Sequence, residues 1–190
     1  MNESVHDEIL RVLGEFLDKK VRFKQLIIGW PQFNQKLSYP ALALTIKNNP
    51  VFRPFPTSEL KRFKTDGAKA DILYRSGEYE FGLQLDVWAK TKADRNDLYE
   101  RLFVALNDNE GVISSCFTLP MPRYHGLTAT YYFQGFDMPD EASASIEGEW
   151  RLIIRMQAIC DAAVRKDREP IILTPTVEVE VTEQEIAEEE

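Results

Sequence analysis

Two segments of the chain have apolar residues at helical spacing. One stripe of a 3.6-residue period runs through residues 4–19 and the other through 91–107. Ser4 and Thr91, two residue types that cap helix N-termini, stand at the starts of these segments, and each has an Asp three positions later. We predict two amphipathic helices, whose stripes consist of Val5, Ile9, Val12, Leu13, Phe16 and Leu17 in the first and Leu98, Leu102, Ala105 and Leu106 in the second.

Residues 79–87 alternate strictly between apolar and polar, a pattern typical of a strand with one buried face. Trp88 falls on the polar side of this alternation, with Asp86 and Lys90 as its neighbours there. A large aromatic residue at such a position predicts that this face is covered. Either a helix or a neighbouring subunit could cover it.

Further strands follow from β-branched and aromatic runs that end at Pro, Gly or Asn. Ser76-Gly77 separates residues 70–75 from the alternating strand and predicts a hairpin turn. A second, longer hairpin is predicted over 127–156, with a polar tip at 137–145. Residues 157–165 fit either a continued strand or a helix. The remaining predicted strands are 21–30 and 39–46.

The stretch 51–69 has Pro54 and Pro56 and no sustained period, so we predict a long loop. Its basic residues outnumber its acidic ones. We expect Arg53, Arg62 and Lys64 to lie at an interface with acidic groups on a protein partner, with Trp88 as an aromatic anchor between subunits.

These elements predict an α/β fold of the α+β type, with two helices packed on a mainly antiparallel β-sheet, a long β-hairpin and a C-terminal arm. We assign residues 1–166 to one α+β domain and 167–190 to an extended acidic arm. Within the arm, 171–181 alternate like a strand. We expect them to be disordered in isolated subunits or to join the sheet edge of a neighbour.

Charge narrows the choice of partners. The formal net charge is -8, but residues 178–190 hold seven Glu and no Lys or Arg, so the rest of the chain is nearly neutral. Such a body is not expected to bind DNA or anionic membranes generally. No apolar run approaches the length of a spanning helix, and the two cysteines lack metal or redox spacing. We expect reduced thiols and no membrane insertion.

Catalytic patterns are absent from the sequence. His6 and His125 have no partner at metal-ligand spacing, and the glycine-rich and nucleophile-elbow motifs do not occur. The carboxylate pairs Glu78 with Glu80 and Glu147 with Glu149 are expected on solvated strand faces. We therefore expect no catalytic, cofactor-binding or metal-binding residues.

The order of elements resembles the tail terminator proteins of tailed bacteriophages, a family of head-tail joining minor tail proteins. The resemblance is carried by YEFGLQLDVWAKTKADRNDLYERLFVAL at 79–106, which is similar to the family's strand, Asp-Val-Trp and capped-helix passage, and by Tyr-Pro-Ala-Leu at 39–42. The long 51–69 stretch, the extended second hairpin and the acidic arm depart from the compact members of that family.

The resemblance implies a structural virion protein without catalytic residues or cofactors. Family members form a homo-oligomeric ring, commonly of six copies, on the head-proximal end of the tail tube. The ring ends tube polymerisation and offers a surface to the head connector. The implied partners are further copies of the chain, the tail tube protein, connector or neck proteins, and the tail sheath, with DNA only as cargo in the lumen. The implied location is the virion, after assembly in the host cytoplasm.

Two other classes remain open from the residues alone. One is a different head-tail joining or neck component of related fold. The other is a small enzyme whose site forms only between subunits, which a clustered, strongly perturbed acid or base in a pocket would favour.

Overall fold

The computed structural model describes residues 4–32, 35–64, 69–109, 112–113, 116–139 and 149–170. In chain order the elements are α1 (Val5–Val21), β1 (Gln25–Ile28), β2 (Ala41–Ile46), β3 (Val51–Lys64), β4 (Lys69–Ala89), α2 (Lys92–Asn107), β5 (Asp108–Asn109), β6 (Val112–Ile113), β7 (Cys116–Met121), β8 (Leu127–Asp137) and β9 (Trp150–Pro170).

Seven strands form one sheet, in the order β1-β2-β4-β9-β8-β7, with β3 paired to β4. Only the β1–β2 pairing in this sheet is parallel; the others described are antiparallel. The short β5 and β6 pair separately with each other. The expectation of two helices with a mainly antiparallel sheet is confirmed.

Both helices begin as their sequences predict. The Ser4 hydroxyl accepts a hydrogen bond from the His6 amide, and Thr91 Oγ1 accepts one from the Asp94 amide at 3.1 Å. The apolar stripes of α1 and α2 join Phe81, Leu83, Leu85 and Val87 of β4 in one buried cluster. Val12, Leu98 and Leu102 are buried in this cluster and Phe16 packs against it, so the predicted packing of both helices on one sheet face is confirmed.

The prediction of a loop at 51–69 was wrong. Residues 51–64 form β3, which pairs antiparallel with β4 from Val51 opposite Glu80 to Lys64 opposite Ala70. Every residue from Val51 to Lys61 is exposed, so no face is buried and no apolar period develops. The prolines are tolerated because β3 pairs on one side only, and because Pro56 lies in a register irregularity that begins after Pro54.

Ser76-Gly77 is not a turn. β4 runs straight through it, and Ser76 is the extra residue of a bulge between Arg75 opposite Ala163 and Gly77 opposite Ala162. A Cβ at Gly77 would lie 2.4 Å from the Arg53 carbonyl oxygen and 2.5 Å from the Phe52 ring. Glycine is needed here because β3 approaches closely. The antiparallel pair in this part of the chain is β3 with β4, and not residues 70–75 with the strand that follows them.

The second hairpin is confirmed, since β8 pairs antiparallel with β9. Residues 157–165, which fitted strand or helix, belong to β9; this strand continues across the 166/167 boundary to Pro170. The sequence missed β7, an edge strand that includes Pro120. The hairpin tip at 140–148 and residues 171–190, including the predicted strand at 171–181, lie outside the described residues.

Candidate interaction surfaces

The sheet narrows to three strands at one end. β2 pairs with β4 only between Leu83 and Trp88, and β8 pairs with β9 only between Ile153 and Cys160. Beyond these limits the sheet consists of β3, β4 as far as Glu78, and β9 from Asp161. We call this three-stranded part, together with residues 51–52 and 79–80 at its base, the projection (residues 51–64, 69–80 and 161–170). At the rise of a β-strand, residues 69–77 alone extend about 26 Å.

One face of the projection is aromatic. The Phe52 ring lies 5.3 Å from that of Tyr79, and Tyr79 lies 5.9 Å from Phe81 at the edge of the core. Although it packs on Tyr79, Phe52 remains 46% exposed. Three more apolar side chains of β3 are also exposed, at 52%, 39% and 37%: Val51, Phe55 and Leu60. Such a concentration of apolar surface on one strand is typical of a site that another protein covers.

Charged pairs line the strands of the projection beside these aromatic rings. Arg53 forms an ion pair with Glu80, and Arg75 Nε lies 2.6 Å from Asp161 Oδ1. The Arg75 guanidinium also stands 4.8 Å from the centre of the Phe55 ring. These pairs link β3 to β4 and β4 to β9 and carry no net charge, so they favour contact with a protein surface over contact with nucleic acid.

The three basic residues predicted at an interface all lie on β3. Arg53 is exposed and paired as described. Arg62 stands opposite Ile72 and Lys64 opposite Ala70 in the register, near the far end of the projection. The structure therefore brings the three residues to one strand, although they were predicted to lie on a loop. Whether they contact a partner stays a prediction.

The outer edge of β3 is poorly suited to pairing with another strand. Pro54 and Pro56 donate no backbone hydrogen bond, and the register shifts twice, between Pro54 and Ser58 and between Glu59 and Lys61. A flat, regular edge is what strand addition needs. The outer edge of β3 therefore disfavours the addition of another strand.

Trp88 is covered by its own chain. It is 4% exposed and packs with Leu37, Ala41 and Ala43 on the sheet face opposite the helices. Neither a helix nor a neighbouring subunit is needed to cover it, so the two predicted alternatives were wrong. The aromatic residue that is exposed here is Trp30, at 57%, with its ring 6.3 Å from that of Trp88.

Arg151 contacts both of these tryptophan rings and a buried carboxylate. Its guanidinium lies 5.1 Å from the Trp30 ring and 5.9 Å from the Trp88 ring. Its Nε donates to Asp86 Oδ1 at 2.8 Å, and Asp86 is fully buried. The sequence pointed to Trp88 but missed Trp30. A parallel β1–β2 pair needs a crossover that passes over the sheet, and that crossover carries Trp30.

A second buried carboxylate, Glu8, ties α1 to the turn after β7. Its oxygens accept from Arg11 Nε and Nη2, both at 2.7 Å, and from the Arg123 amide at 2.9 Å. Burial alone would raise the pKa of Glu8, but these hydrogen bonds lower it below its ordinary value. The group is held ionised as a structural link between elements.

The other side chains that could take part in catalysis do not lie together. Burial raises the pKa of the Cys160 thiol to about 12, which keeps it protonated. Burial also raises the pKa of Glu149, which is 7% exposed, so the expectation of a solvated Glu149 was wrong; Glu147 lies outside the described residues. Among the described residues, no group of three or more His, Cys, Asp or Glu could hold a metal ion.

Two open depressions border α2, of about 370 and 320 Å³. The first is lined by Lys20, Glu100, Arg101, Val104 and Ala105, and the second includes Lys24, Tyr39, Asp94 and Asp97. Neither is lined by Glu149, Cys160 or a histidine. Neither depression combines an acid or base of shifted pKa with a second group that could take part in catalysis.

Comparison with models of known protein families finds no match, and comparison with curated protein sequences finds none either. Within the part of the chain that the structure describes, no helix has the length and apolar character needed to cross a membrane.

Proposed function

We propose that this chain is a structural protein of the tailed-bacteriophage virion. It forms a ring of identical subunits on the head-proximal end of the tail tube, where it stops tube polymerisation and docks the head connector. The observation that carries the proposal is the projection, a three-stranded extension whose β3 exposes every residue from Val51 to Lys61.

The projection suits assembly better than catalysis. A single domain gains nothing in stability from exposing Phe52 and Phe55 at 46% and 39%. In a ring, the same patch is buried once per subunit, and repeated weak contacts give a tight assembly. The resemblance of residues 79–106 to tail terminators supports the proposed position of the ring in the virion.

Assembly in an infected cell tests this function. Without the protein, we expect filled heads and tails of abnormal length that do not join, and supplying the protein in trans should restore both length and joining. Tails of normal length that fail to join heads would favour a neck component of related fold. Tails of normal length that join heads would refute the proposal.

A further inference from the structure

The seven-stranded sheet has a regular outer edge at β1. This strand is the last in the sheet order and pairs with β2, so the backbone groups on its other side meet no described strand. The four pairs from Gln25 to Ile28 follow one another without a register shift, and none of these β1 residues is a proline. The other two edge strands, β3 and β7, both contain proline. Among these edges, β1 is therefore the one suited to pairing with a further strand.

Apolar side chains flank the β1 edge on both faces of the sheet. Leu26 is 39% exposed, and a Cβ built at Gly14 of α1 would lie 3.1 Å from Leu26 Cδ2, so Leu26 lies on the helix face. Ile28, at 45% exposure, shares that face because strand side chains alternate. Trp30 is 57% exposed and packs against Trp88 on the opposite face. Because β1 is short and offers few backbone hydrogen bonds, these side chains are needed to hold an added strand.

The chain around this edge has an excess of positive charge. Residues 19–58 contain seven Lys and Arg and no Asp or Glu. Lys36 is exposed in the crossover between β1 and β2, and Lys47 is exposed just after β2. The Lys47 amide donates to the Gly82 carbonyl at 2.9 Å, so pairing with β4 continues past β2, and the alternation places Lys47 on the same outer face as Ala43. This charge favours an acidic partner.

We propose that β1 pairs with an extended segment of a partner protein in which apolar and acidic residues alternate. The added strand places its apolar side chains beside Leu26 and Ile28 on the helix face. Its carboxylates then lie on the outer face, where they meet Lys36 and Lys47 near Trp30. A protein strand fits this edge better than a lipid surface does, because only a strand also satisfies the free backbone groups of β1. This docking does not depend on the virion function proposed above.

Fluorescence anisotropy of a labelled eight-residue peptide of alternating Val and Glu, titrated with the full native chain, tests the docking. Two further peptides have N-methyl groups on all Val amides or on all Glu amides. Because successive amides of a strand point to opposite sides, only one of the two loses the amides that face β1. We expect the parent peptide to bind, and the two methylated peptides to differ at least about tenfold in dissociation constant. Peptides of alternating Val and Lys, or of Ser and Glu, should bind at least about tenfold more weakly than the parent.

Variants of the protein locate the site. Ile28→Ser and Trp30→Ser should each weaken binding of the parent peptide at least about tenfold. The control Phe103→Ser changes an apolar residue on α2 that is as exposed as Ile28, and it should leave binding unchanged. The methylated peptides are compared on the native chain, so that result does not depend on the folding of any variant.

Charge variants test the acidic part of the proposal. Lys36→Gln with Lys47→Gln should weaken binding about fivefold and reduce its dependence on salt. The control Lys61→Gln with Arg155→Gln removes the same charge from exposed positions elsewhere and should change neither. A parent peptide that does not bind, equal binding of the two methylated peptides, or loss of binding in Phe103→Ser alone would each overturn the proposal. Binding to phosphatidylglycerol vesicles that requires Trp30, without binding of the peptide, would show that the edge meets a membrane and would overturn it as well.

Discussion

Arg151→Gln tests whether the guanidinium stabilises the outer sheet face by neutralising Asp86. In the native protein, Asp86 is fully buried; it accepts two bonds from Arg151 and two more, at 3.1 and 3.2 Å, from the Gln84 amide. Shortening Arg151 leaves a buried carboxylate with only that amide nearby. Removing one partner of a buried ion pair costs about 3–5 kcal/mol, and we expect Arg151→Gln to fall in that range.

The converse change should cost less. Arg151 is 20% exposed in its side chain and stays between Trp30 and Trp88, so in Asp86→Asn it can keep these contacts while water solvates it. We expect about 1–3 kcal/mol for that variant, and a cost for the double variant well below the sum of the two singles.

Denaturant unfolding followed by far-ultraviolet circular dichroism measures these free energies, and tryptophan fluorescence reports the Trp30–Trp88 site separately. Arg155→Gln is the matched control, because Arg155 pairs with the exposed Asp137 and the change should cost less than about 1 kcal/mol. If Arg151→Gln also cost less than about 1 kcal/mol, the claim that Asp86 is buried and depends on Arg151 would be refuted.

Three further predictions concern the core, the projection and the helix link. Leu102→Ala should lower the unfolding free energy by about 2–5 kcal/mol, because Leu102 is fully buried. The control Val104→Ala changes a residue that is 59% exposed and should alter the unfolding free energy by no more than about 0.5 kcal/mol. Equal costs for the two variants would show that α2 is peripheral. Gly77→Ala should destabilise the projection by about 1–3 kcal/mol and raise amide exchange in β3, because the new Cβ would meet the β3 backbone. In the control Gly82→Ala, the new Cβ would meet only Asn48 Nδ2, at 3.8 Å, so neither effect is expected. Similar amide exchange in the two variants would contradict the close approach of β3 to Gly77. The lowered pKa of Glu8 means that its contribution to stability is present above the ordinary value of 4.5 and is lost as pH falls through the folded-state pKa. Glu8→Gln should therefore lower the melting temperature at pH 7, and the difference from the native melting temperature should shrink steadily below pH 4.5. A difference in melting temperature that does not depend on pH would rule out the ionised link.

The sequence predicted those elements that bury one face. Both helices and the half of β4 that packs under them have apolar residues at their own period, because each contributes a single side to the core. The same principle explains the failure at 51–61, where every described side chain is exposed. A strand exposed on both sides has no reason to alternate, and its prolines then read as loop signals.

The candidate surfaces depended on contacts between residues distant in sequence. Ser76-Gly77 looked like a turn because glycine marks turns and bulges alike, and only the closeness of β3 separates the two. Trp88 was correctly placed on the polar side of β4, but the cover comes from a crossover whose path requires the parallel pairing of β1 with β2. Arg53, Arg62 and Lys64 were selected by charge, and pairing with β4 is what places them on the projection.

We propose that copies of this chain assemble into a closed ring through the projection. Native mass spectrometry with negative-stain imaging of the purified full chain tests it, using Phe52→Ser against Phe103→Ser, two phenylalanines that are each 46% exposed, on β3 and α2 respectively. We expect rings whose mass is a whole multiple of 21.9 kDa, six-fold if the family stoichiometry holds. Phe52→Ser should reduce them to folded monomers, and Phe103→Ser should leave them intact. A native chain that stays monomeric at high concentration, or rings that survive Phe52→Ser and dissociate with Phe103→Ser, would rule out ring assembly through the projection.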